Sequence, residues 1–211
     1  MNIGVDLDDV IYDFTGTLQQ WLLFRGYPAT CPRISWAEPK EWGLNQEQFI
    51  QEIVLSINNG GLYYQGDVVD NAKEVLEKLI ATNNITIVTS RANFVELPQK
   101  VKLGLYQATL NWLQVNKIPY DNIIYIKDKS ELIKKFDIFL DDKYTNYLKL
   151  KQTNTISLLF NTLRNQQYNV LERIHSWDEF YEICKGLEYE YFLSRSKIYN
   201  GLYKEAAKMG I

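Results

Sequence analysis

Short apolar runs that alternate with segments of helical spacing constrain the fold of this 211-residue chain more than any other feature. The runs are rich in β-branched and aromatic residues, as central parallel strands are: Asn2–Leu7, Asn84–Ser90, Asn122–Ile126, Asp137–Leu140 and Thr155–Phe160. Apolar residues three and four apart predict helices between them: Asn71–Thr82, Leu97–Asn116, Ser130–Lys135 and Tyr144–Lys151. This alternation predicts an α/β fold with a doubly wound parallel sheet, whose ligands bind at the carboxyl ends of the strands.

One interval, from the first strand to Asn84, is too long for a single crossover connection. Within it, Thr15–Arg25 and Gln46–Ile57 have helical spacing, and Asn58-Asn59-Gly60-Gly61 is a strong break. We therefore expect a small helical cap at residues 15–66, inserted after the first strand, and a core made of residues 1–14 and 67–211. A further helix is predicted for the tail, Leu187–Ile211.

Composition limits the classes of function. With 46% hydrophobic residues the chain can bury a substantial core, and a net charge of −3 provides no basic face for nucleic acid. Two distant cysteines, Cys31 and Cys184, and a single histidine, His175, predict neither a zinc cluster nor a redox motif. No run approaches about 20 apolar residues. We expect a cytoplasmic protein with no membrane partner and no stable nucleic-acid binding, and a homodimer is left open.

The acidic segment Asp6-Leu7-Asp8-Asp9-Val10 follows the first predicted strand. Carboxylates two residues apart at a strand end can project towards one site, and crowded acids resist ionisation unless a cation lies among them. An isolated pair of this kind is more often a helix cap or a solvated turn. Here other polar groups follow later strands, so a functional site is favoured.

Three further groups follow later strands of the predicted sheet. Thr89-Ser90-Arg91 ends the second strand, where hydroxyl and N–H groups can bind phosphate oxygens. Lys129 precedes the helix predicted from Ser130, and Asp141-Asp142 ends the fourth strand. Each group alone is a weak signal, because Ser and Thr are ordinary capping residues and most lysines are solvated. Two acids that end a buried strand are typical of a Mg²⁺ site.

These four groups, in this order, resemble the motifs of the haloacid dehalogenase superfamily of phosphohydrolases. The resemblance covers nearly the whole chain and implies a Rossmann-like core. It implies that Asp6 is the nucleophile, that Asp8 is the general acid–base, and that Thr89, Ser90 and Lys129 bind the phosphoryl group. It also implies a Mg²⁺ cofactor held by Asp6, the backbone carbonyl of Asp8, and Asp142, with Asp141 acting through water.

The opening DLDDVIYDF is similar to the D-x-D-G-V-x-x-x-F pattern of the 5′(3′)-deoxyribonucleotidases, with Val10 and Phe14 retained and Asp9 in place of the glycine. This resemblance implies a nucleoside monophosphate as substrate. The residues expected to contact it are Phe14, Trp36, Trp42 and Arg91. Each cap aromatic has an equally good alternative role in the core of the cap itself.

Other functions remain as alternatives. A phosphatase for another small phosphate ester would share Asp6 and Asp8 and differ only in the cap. A nucleic-acid 3′-phosphatase is less favoured, because the composition shows no basic stripe that could bind nucleic acid. In a non-enzymatic phospho-acceptor domain, the phosphorylated aspartate follows a later strand than the acidic pair. In this chain, by contrast, the Asp6–Asp8 pair follows the first predicted strand and a second acidic pair comes later. A catalytically dead scaffold is disfavoured, because every motif position is filled.

Overall fold

The sheet of the computed structural model has six short strands: β1 (Asn2–Val5), β2 (Asn84–Thr89), β3 (Asn122–Tyr125), β4 (Ile138–Asp141), β5 (Ile156–Phe160) and β6 (Arg173–Ile174). The structure describes residues 1–33, 40–93, 96–132 and 135–209, with side chains up to residue 193. All strand pairs are parallel, and the order across the sheet is β3-β2-β1-β4-β5-β6. The predicted doubly wound parallel sheet is therefore confirmed.

Six helices accompany the sheet: α1 (Phe14–Phe24), α2 (Gln46–Asn58), α3 (Ala72–Leu79), α4 (Gln99–Val115), α5 (Tyr144–Lys151) and α6 (Trp177–Met209). Apolar side chains cover both faces of the sheet. One cluster joins Val5 and Ile87 to Trp112 of α4 and Trp177 of α6. A smaller cluster joins Phe139 of β4 to Leu150 of α5.

One local prediction was wrong, and one strand was missed. In its described residues, the helix predicted at Ser130–Lys135 is a 3₁₀ turn at Lys129–Leu132, and residues 133 and 134 lie outside the described part of the chain. The four residues of this turn are too few for the apolar spacing of an α-helix to carry information. Strand β6 was not predicted, because two residues are too short to show any periodicity.

The described part of residues 15–66 contains all of α1 except its first residue, a 3₁₀ turn at Lys40–Trp42 and α2. Each helix has a local start signal. Asp13 accepts a hydrogen bond from the Gly16 N–H at the start of α1, and Asn45 and Gln48 form a reciprocal capping box at α2. The apolar side chains of this segment form a separate cluster that also includes Leu105 and Ala108 of α4. The boundary of a cap domain at residue 66 stays a prediction.

The segment returns to the core at Gly66. The Tyr12 hydroxyl accepts a hydrogen bond from the Gly66 N–H (3.1 Å), and the Trp112 indole N–H donates to the Gly66 carbonyl oxygen (2.7 Å). A Cβ atom at Gly66 would lie 2.2 Å from Tyr12 Cζ, so only glycine fits this approach. These contacts fix the end of residues 15–66 against the strand β1 side of the core.

Candidate active site

Three buried carboxylates meet where β1 and β4 end. The register pairs Val5 with Leu140, and the Asp6 N–H donates to the Leu140 carbonyl oxygen at 2.9 Å, so Asp6 lies beside the end of β4. Asp6, Asp141 and Asp142 each offer one oxygen atom within 4.8 Å of the others. The parallel topology thus brings together acids that are 135 or more residues apart in the chain.

Lys129 joins two of these acids. Its ammonium group lies 2.6 Å from Asp6 Oδ1 and 2.8 Å from Asp141 Oδ2, and only 2% of the side chain is exposed. Burial opposes the charged form of Lys129, but the two carboxylates outweigh burial and raise its pKa. Lys129 is therefore a fixed positive charge within the acidic group.

The raised pKa values of two of these acids indicate that the group fits a divalent cation. Burial raises the pKa of Asp6 to about 7, even though Lys129 opposes this shift. Burial also raises the pKa of Asp142 well above its usual range, against the effect of Arg164. Buried oxygen ligands of this kind suit Mg²⁺, which would favour their charged forms.

Asp141 differs from the other two acids in its hydrogen bonds. Its Oδ1 accepts from the Lys143 N–H at 2.8 Å, and its Oδ2 accepts from the Asn146 amide at 3.0 Å as well as from Lys129. Both oxygens thus already have protein donors. Asp6 and Asp142 are better placed as direct metal ligands, and Asp141 suits a supporting role.

Asp8 lies on the other side of the site and is bound by Arg91. Arg91 Nε and Nη2 lie 2.9 and 2.5 Å from Asp8 Oδ1, and 2% of Arg91 is exposed. The guanidinium carbon lies 4.4 Å from the centre of the Tyr12 ring and 5.1 Å from that of Tyr63, both within cation–π range. The Asp8 carboxylate is thus held by an arginine that is itself fixed by two aromatic rings.

A cavity of about 160 Å³ connects these groups. Asp6, Asp8, Ser90 and Asp142 line it from the core. The other lining residues come from residues 14–63, from helix α5 and from the loops after β2, β4 and β5: Phe14, Arg33, Phe49, Tyr63, Arg91, Lys143, Asn146 and Arg164. The cavity therefore has carboxylates on its floor and aromatic and basic side chains on its walls.

The site residues predicted from the sequence lie at different positions relative to the cavity. Thr89 is fully buried, and its hydroxyl accepts a hydrogen bond from the Arg91 N–H at 3.1 Å, below the cavity surface. Phe14 lines the cavity. Trp36 lies outside the described residues. Arg91 lines the cavity while its guanidinium is bound to Asp8, and its contact with a substrate stays a prediction.

Trp42 requires a correction. It is fully buried in the apolar cluster of residues 15–66, and its indole N–H donates to the Cys31 carbonyl oxygen at 2.8 Å. The large apolar ring is more stable in this core than at a polar cavity wall. The structure therefore gives Trp42 the alternative role, in the core of the cap segment.

Sequence reasoning missed several lining residues. Lys143 and Asn146 follow the Asp141-Asp142 pair directly, so their positions could have been predicted from the start of α5. Arg33, Tyr63 and Arg164 lie in irregular connections, where no periodic pattern shows which side chains turn inward.

The remaining groups singled out by the sequence lie away from the cavity. His175 is exposed, and its backbone N–H donates to Glu179 ahead of α6. Cys31 is exposed, Cys184 is buried, and both are free thiols. Among the helices of the described ranges, none has the length and apolar character of a membrane span.

Comparison with solved structures agrees with the fold. A haloacid dehalogenase-like family hydrolase of Streptococcus pneumoniae superposes with a TM-score of 0.57 at 14% identity, over 85% of this chain and 95% of that one. A predicted phosphatase from Clostridium acetobutylicum superposes with a TM-score of 0.55 at 14% identity, over 89% of this chain and 98% of that one.

Sequence comparison identifies the family. A protein of Chlorobaculum tepidum that is assigned as a 5′(3′)-deoxyribonucleotidase is 28% identical over 190 residues, which cover 87% of this chain and 90% of that protein. The sequence model of one family matches residues 1–188. The chain has the fold of haloacid dehalogenase-like hydrolases. It is a phosphoric monoester hydrolase, and it belongs to the family described as 5′ nucleotidase, deoxy (pyrimidine), cytosolic type C protein (NT5C).

Proposed function

We propose that the protein is a Mg²⁺-dependent nucleotidase that dephosphorylates nucleoside monophosphates through an aspartyl-phosphate on Asp6. The observation that carries this proposal is the group of Asp6, Asp141 and Asp142 oxygens within 4.8 Å, with Lys129 bound to two of the acids. Asp8 lines the same cavity as Asp6 and Asp142. The nucleophile, the acid–base and the metal ligands therefore surround one small volume.

In the first step, an Asp6 carboxylate oxygen forms a bond to phosphorus and the bond from phosphorus to the ester oxygen breaks. Asp8 donates a proton to the departing oxygen, which leaves as a neutral hydroxyl of the nucleoside. Ser90, which lines the cavity just after β2, and Lys129 bind the phosphoryl oxygens, whereas the Thr89 hydroxyl lies below the cavity surface and accepts from the Arg91 N–H. Mg²⁺, when bound by Asp6, the Asp8 carbonyl and Asp142, reduces the repulsion between two anions and offsets charge on the transferring group.

In the second step, Asp8 is a carboxylate and accepts a proton from water. The water oxygen attacks phosphorus, the bond to the Asp6 oxygen breaks, and inorganic phosphate leaves with Asp6 restored. Arg91 suits this step, because its two N–H groups fix the orientation of the Asp8 carboxylate. Asp141 would help to hold the metal ion through water.

The charges around the site match this chemistry. Among the described residues, basic and acidic side chains lie together around it: Arg33, Arg91, Lys129, Lys143 and Arg164, and Asp6, Asp8, Asp9, Asp141 and Asp142. A bound Mg²⁺ would add positive charge, which would offset the charge of an anionic phosphate ester.

Two observations support a nucleotide as the substrate: the family of the chain and the aromatic residues on the cavity wall. The family description and the name of the Chlorobaculum tepidum relative both specify a deoxynucleotidase. Phe14, Phe49 and Tyr63 line the cavity from residues 14–63, and aromatic rings stack on nucleobases. We propose that residues 15–66 form a cap that places these rings against the leaving nucleoside and excludes water.

The size of the cavity supports a second candidate, a phosphatase for a smaller ester. Pockets for ligands of drug size usually measure about 300–1,000 Å³, and this cavity measures about 160 Å³. A nucleotide would therefore require residues 15–66 to move away from the core, whereas a short alkyl phosphate would not.

Turnover of purified protein on a panel of nucleoside monophosphates and short alkyl phosphates, with and without Mg²⁺, tests both candidates. We expect Mg²⁺-dependent release of phosphate from nucleotides, with kcat/KM at least about 10-fold above that for alkyl phosphates. A preference for alkyl phosphates would favour the second candidate. Full activity in the presence of excess chelator would refute the proposed metal dependence.

A further inference from the structure

We propose that Arg164 is a positioning residue that holds Asp142 ready for the metal ion, and that Asp9 is its anchor. The inference rests on the proposed function, in which Asp142 is a direct Mg²⁺ ligand. It assigns a role to two residues that take no part in the proposed chemical steps.

Arg164 binds the two acids from one nitrogen atom. Its Nη2 lies 3.0 Å from Asp142 Oδ2, and the same nitrogen donates to Asp9 Oδ2. Arg164 is 5% exposed and lies in the connection between β5 and β6. Its side chain therefore crosses from that connection to both the β1 loop and the end of β4.

The neighbouring residue fixes the connection that carries Arg164. The Asn165 side-chain amide donates to the Asp142 carbonyl oxygen and to the Phe160 carbonyl oxygen, each at 2.7 Å. Asn165 is fully buried. These bonds tie the start of the connection to the ends of β4 and β5, so the Arg164 backbone has a defined position relative to Asp142.

Asp9 is fixed from the opposite side. It has a left-handed backbone conformation with φ of 59°, which Asp tolerates better than most non-glycine residues. Its Oδ1 accepts from the Thr15 N–H and its Oδ2 accepts from the Thr15 hydroxyl, both at 2.7 Å. Since Thr15 lies in the first turn of α1, the contacts run from this helix through Asp9 and Arg164 to Asp142.

Asp9 stands where the D-x-D-G pattern has glycine. A glycine would adopt the same backbone conformation with less strain, but it would provide no carboxylate for Arg164 or Thr15. The Asp9 side chain therefore has a role beyond the backbone conformation at this position. Holding Arg164 at the Oδ2 atom of Asp142 orients that carboxylate, one oxygen of which lies within 4.8 Å of oxygens of Asp6 and Asp141.

A positioning role of Arg164 and a purely electrostatic effect of its charge predict opposite changes in Mg²⁺ affinity when Arg164 is replaced. Arg164 is a cation beside the metal site, so its charge alone weakens the binding of Mg²⁺. Partners that orient a metal-ligating carboxylate typically strengthen metal binding about 10–100-fold. Arg164→Lys keeps the charge, but its shorter side chain does not carry a nitrogen atom to the position of Nη2. The pair Asp9→Asn and Arg164→Gln removes one charge of each sign, so the net charge near the metal is unchanged.

Mn²⁺ binding to the metal-free protein, measured by electron paramagnetic resonance with Mg²⁺ as competitor, separates the two effects. We expect about 10-fold weaker binding for Arg164→Lys and at least as large a loss for the Asp9→Asn, Arg164→Gln double variant. Arg25→Lys is the matched control, because Arg25 binds Glu52 in the cap segment, and it should bind Mn²⁺ like wild type. Thermal unfolding of each variant without metal verifies the fold.

Wild-type affinity in folded Arg164→Lys would overturn the inference. So would a double variant that binds Mn²⁺ like wild type while Arg164→Gln alone binds it more tightly, because charge would then explain the whole effect. The Asp142→Asn variant distinguishes a failure of this inference from a failure of the proposed function. If wild type binds no Mn²⁺, or if Asp142→Asn binds it equally well, the metal site itself is wrongly assigned.

Discussion

At the scale of single residues, the mechanism depends most on Asp6. Asp6→Asn should lower kcat for phosphate release by on the order of 10⁴-fold or more, because an amide cannot attack phosphorus. Burial raises the pKa of Asp6 and so disfavours its charged form, which means that a neutral amide of the same shape should leave the unfolding temperature close to wild type.

Asp137→Asn is the matched control for this variant. Asp137 lies at the opposite end of β4, where its Oδ2 accepts a hydrogen bond from the Asn2 N–H at 2.7 Å. It should retain wild-type turnover, measured by steady-state phosphate release. Comparable turnover in Asp6→Asn and Asp137→Asn would contradict the assignment of the nucleophile.

The site residues that the sequence could predict are those at the ends of regular apolar strands. Asp6 and Asp141 meet because parallel strands align their carboxyl ends, and this alignment follows from the topology alone. Arg33 and Arg164 could not be predicted, because their direction depends on irregular connections and on tertiary contacts. Arg91 was predicted as a site residue, but its bond to Asp8 could not be derived from strand position.

At the scale of elements, Trp42 shows how the cap segment is held together. Trp42→Ala removes a fully buried ring, and losses of about 3–5 kcal/mol are typical of such changes. We expect a lower unfolding temperature and similar losses of kcat/KM for a nucleotide and for p-nitrophenyl phosphate. Phe14→Ala is the comparison, since Phe14 lines the cavity and should impair nucleotide hydrolysis more. A loss in Trp42→Ala confined to nucleotides would return Trp42 to the substrate site.

A second element-scale prediction concerns α5 and the β5–β6 connection. Glu172 accepts hydrogen bonds from Lys151 (2.5 Å) and Tyr147 (2.6 Å) of α5, and these bonds lower its pKa to about 2. Because the folded pKa lies below the unfolded value of 4.5, the contribution to stability is complete above pH 4.5 and is lost as the pH falls towards 2.

The measurement is the unfolding temperature as a function of pH. Glu172→Gln should be less stable than wild type at pH 6, and the difference should shrink as the pH falls below about 4.5. Salt should reduce the difference too, because both partners are partly exposed. Glu190→Gln, an exposed position on α6, serves as the control. A difference that stays constant with pH would show that the ion pair does not stabilise the fold.

Pattern length explains which elements were predictable. Strands of four to six residues in a parallel sheet and helices α1 to α5 were located within a few residues from the sequence, whereas α6 begins at Trp177, ten residues before the predicted Leu187. The 3₁₀ turn at Lys129–Leu132 and the two-residue β6 each span only about one period of a helix or strand pattern, so no repeat could be recognised.

At the scale of the whole molecule, residues 15–66 and the core share contacts beside the active site. Tyr12 and Trp112 hold Gly66, and Tyr63 of the returning segment lies against Arg91, which binds Asp8. A movement of residues 15–66 would therefore reach the proposed acid–base directly. The sequence indicated an insertion from its length, but these contacts arise from the tertiary packing.

The stereochemical course at phosphorus tests the central claim most directly. A deoxynucleoside monophosphorothioate that is made chiral at phosphorus with oxygen isotopes would be hydrolysed in isotopic water with Mg²⁺. Each in-line displacement inverts the configuration, so two steps through an aspartyl-phosphate on Asp6 predict net retention in the thiophosphate product. Net inversion would show that water attacks the nucleotide directly, and it would contradict the proposed role of Asp6.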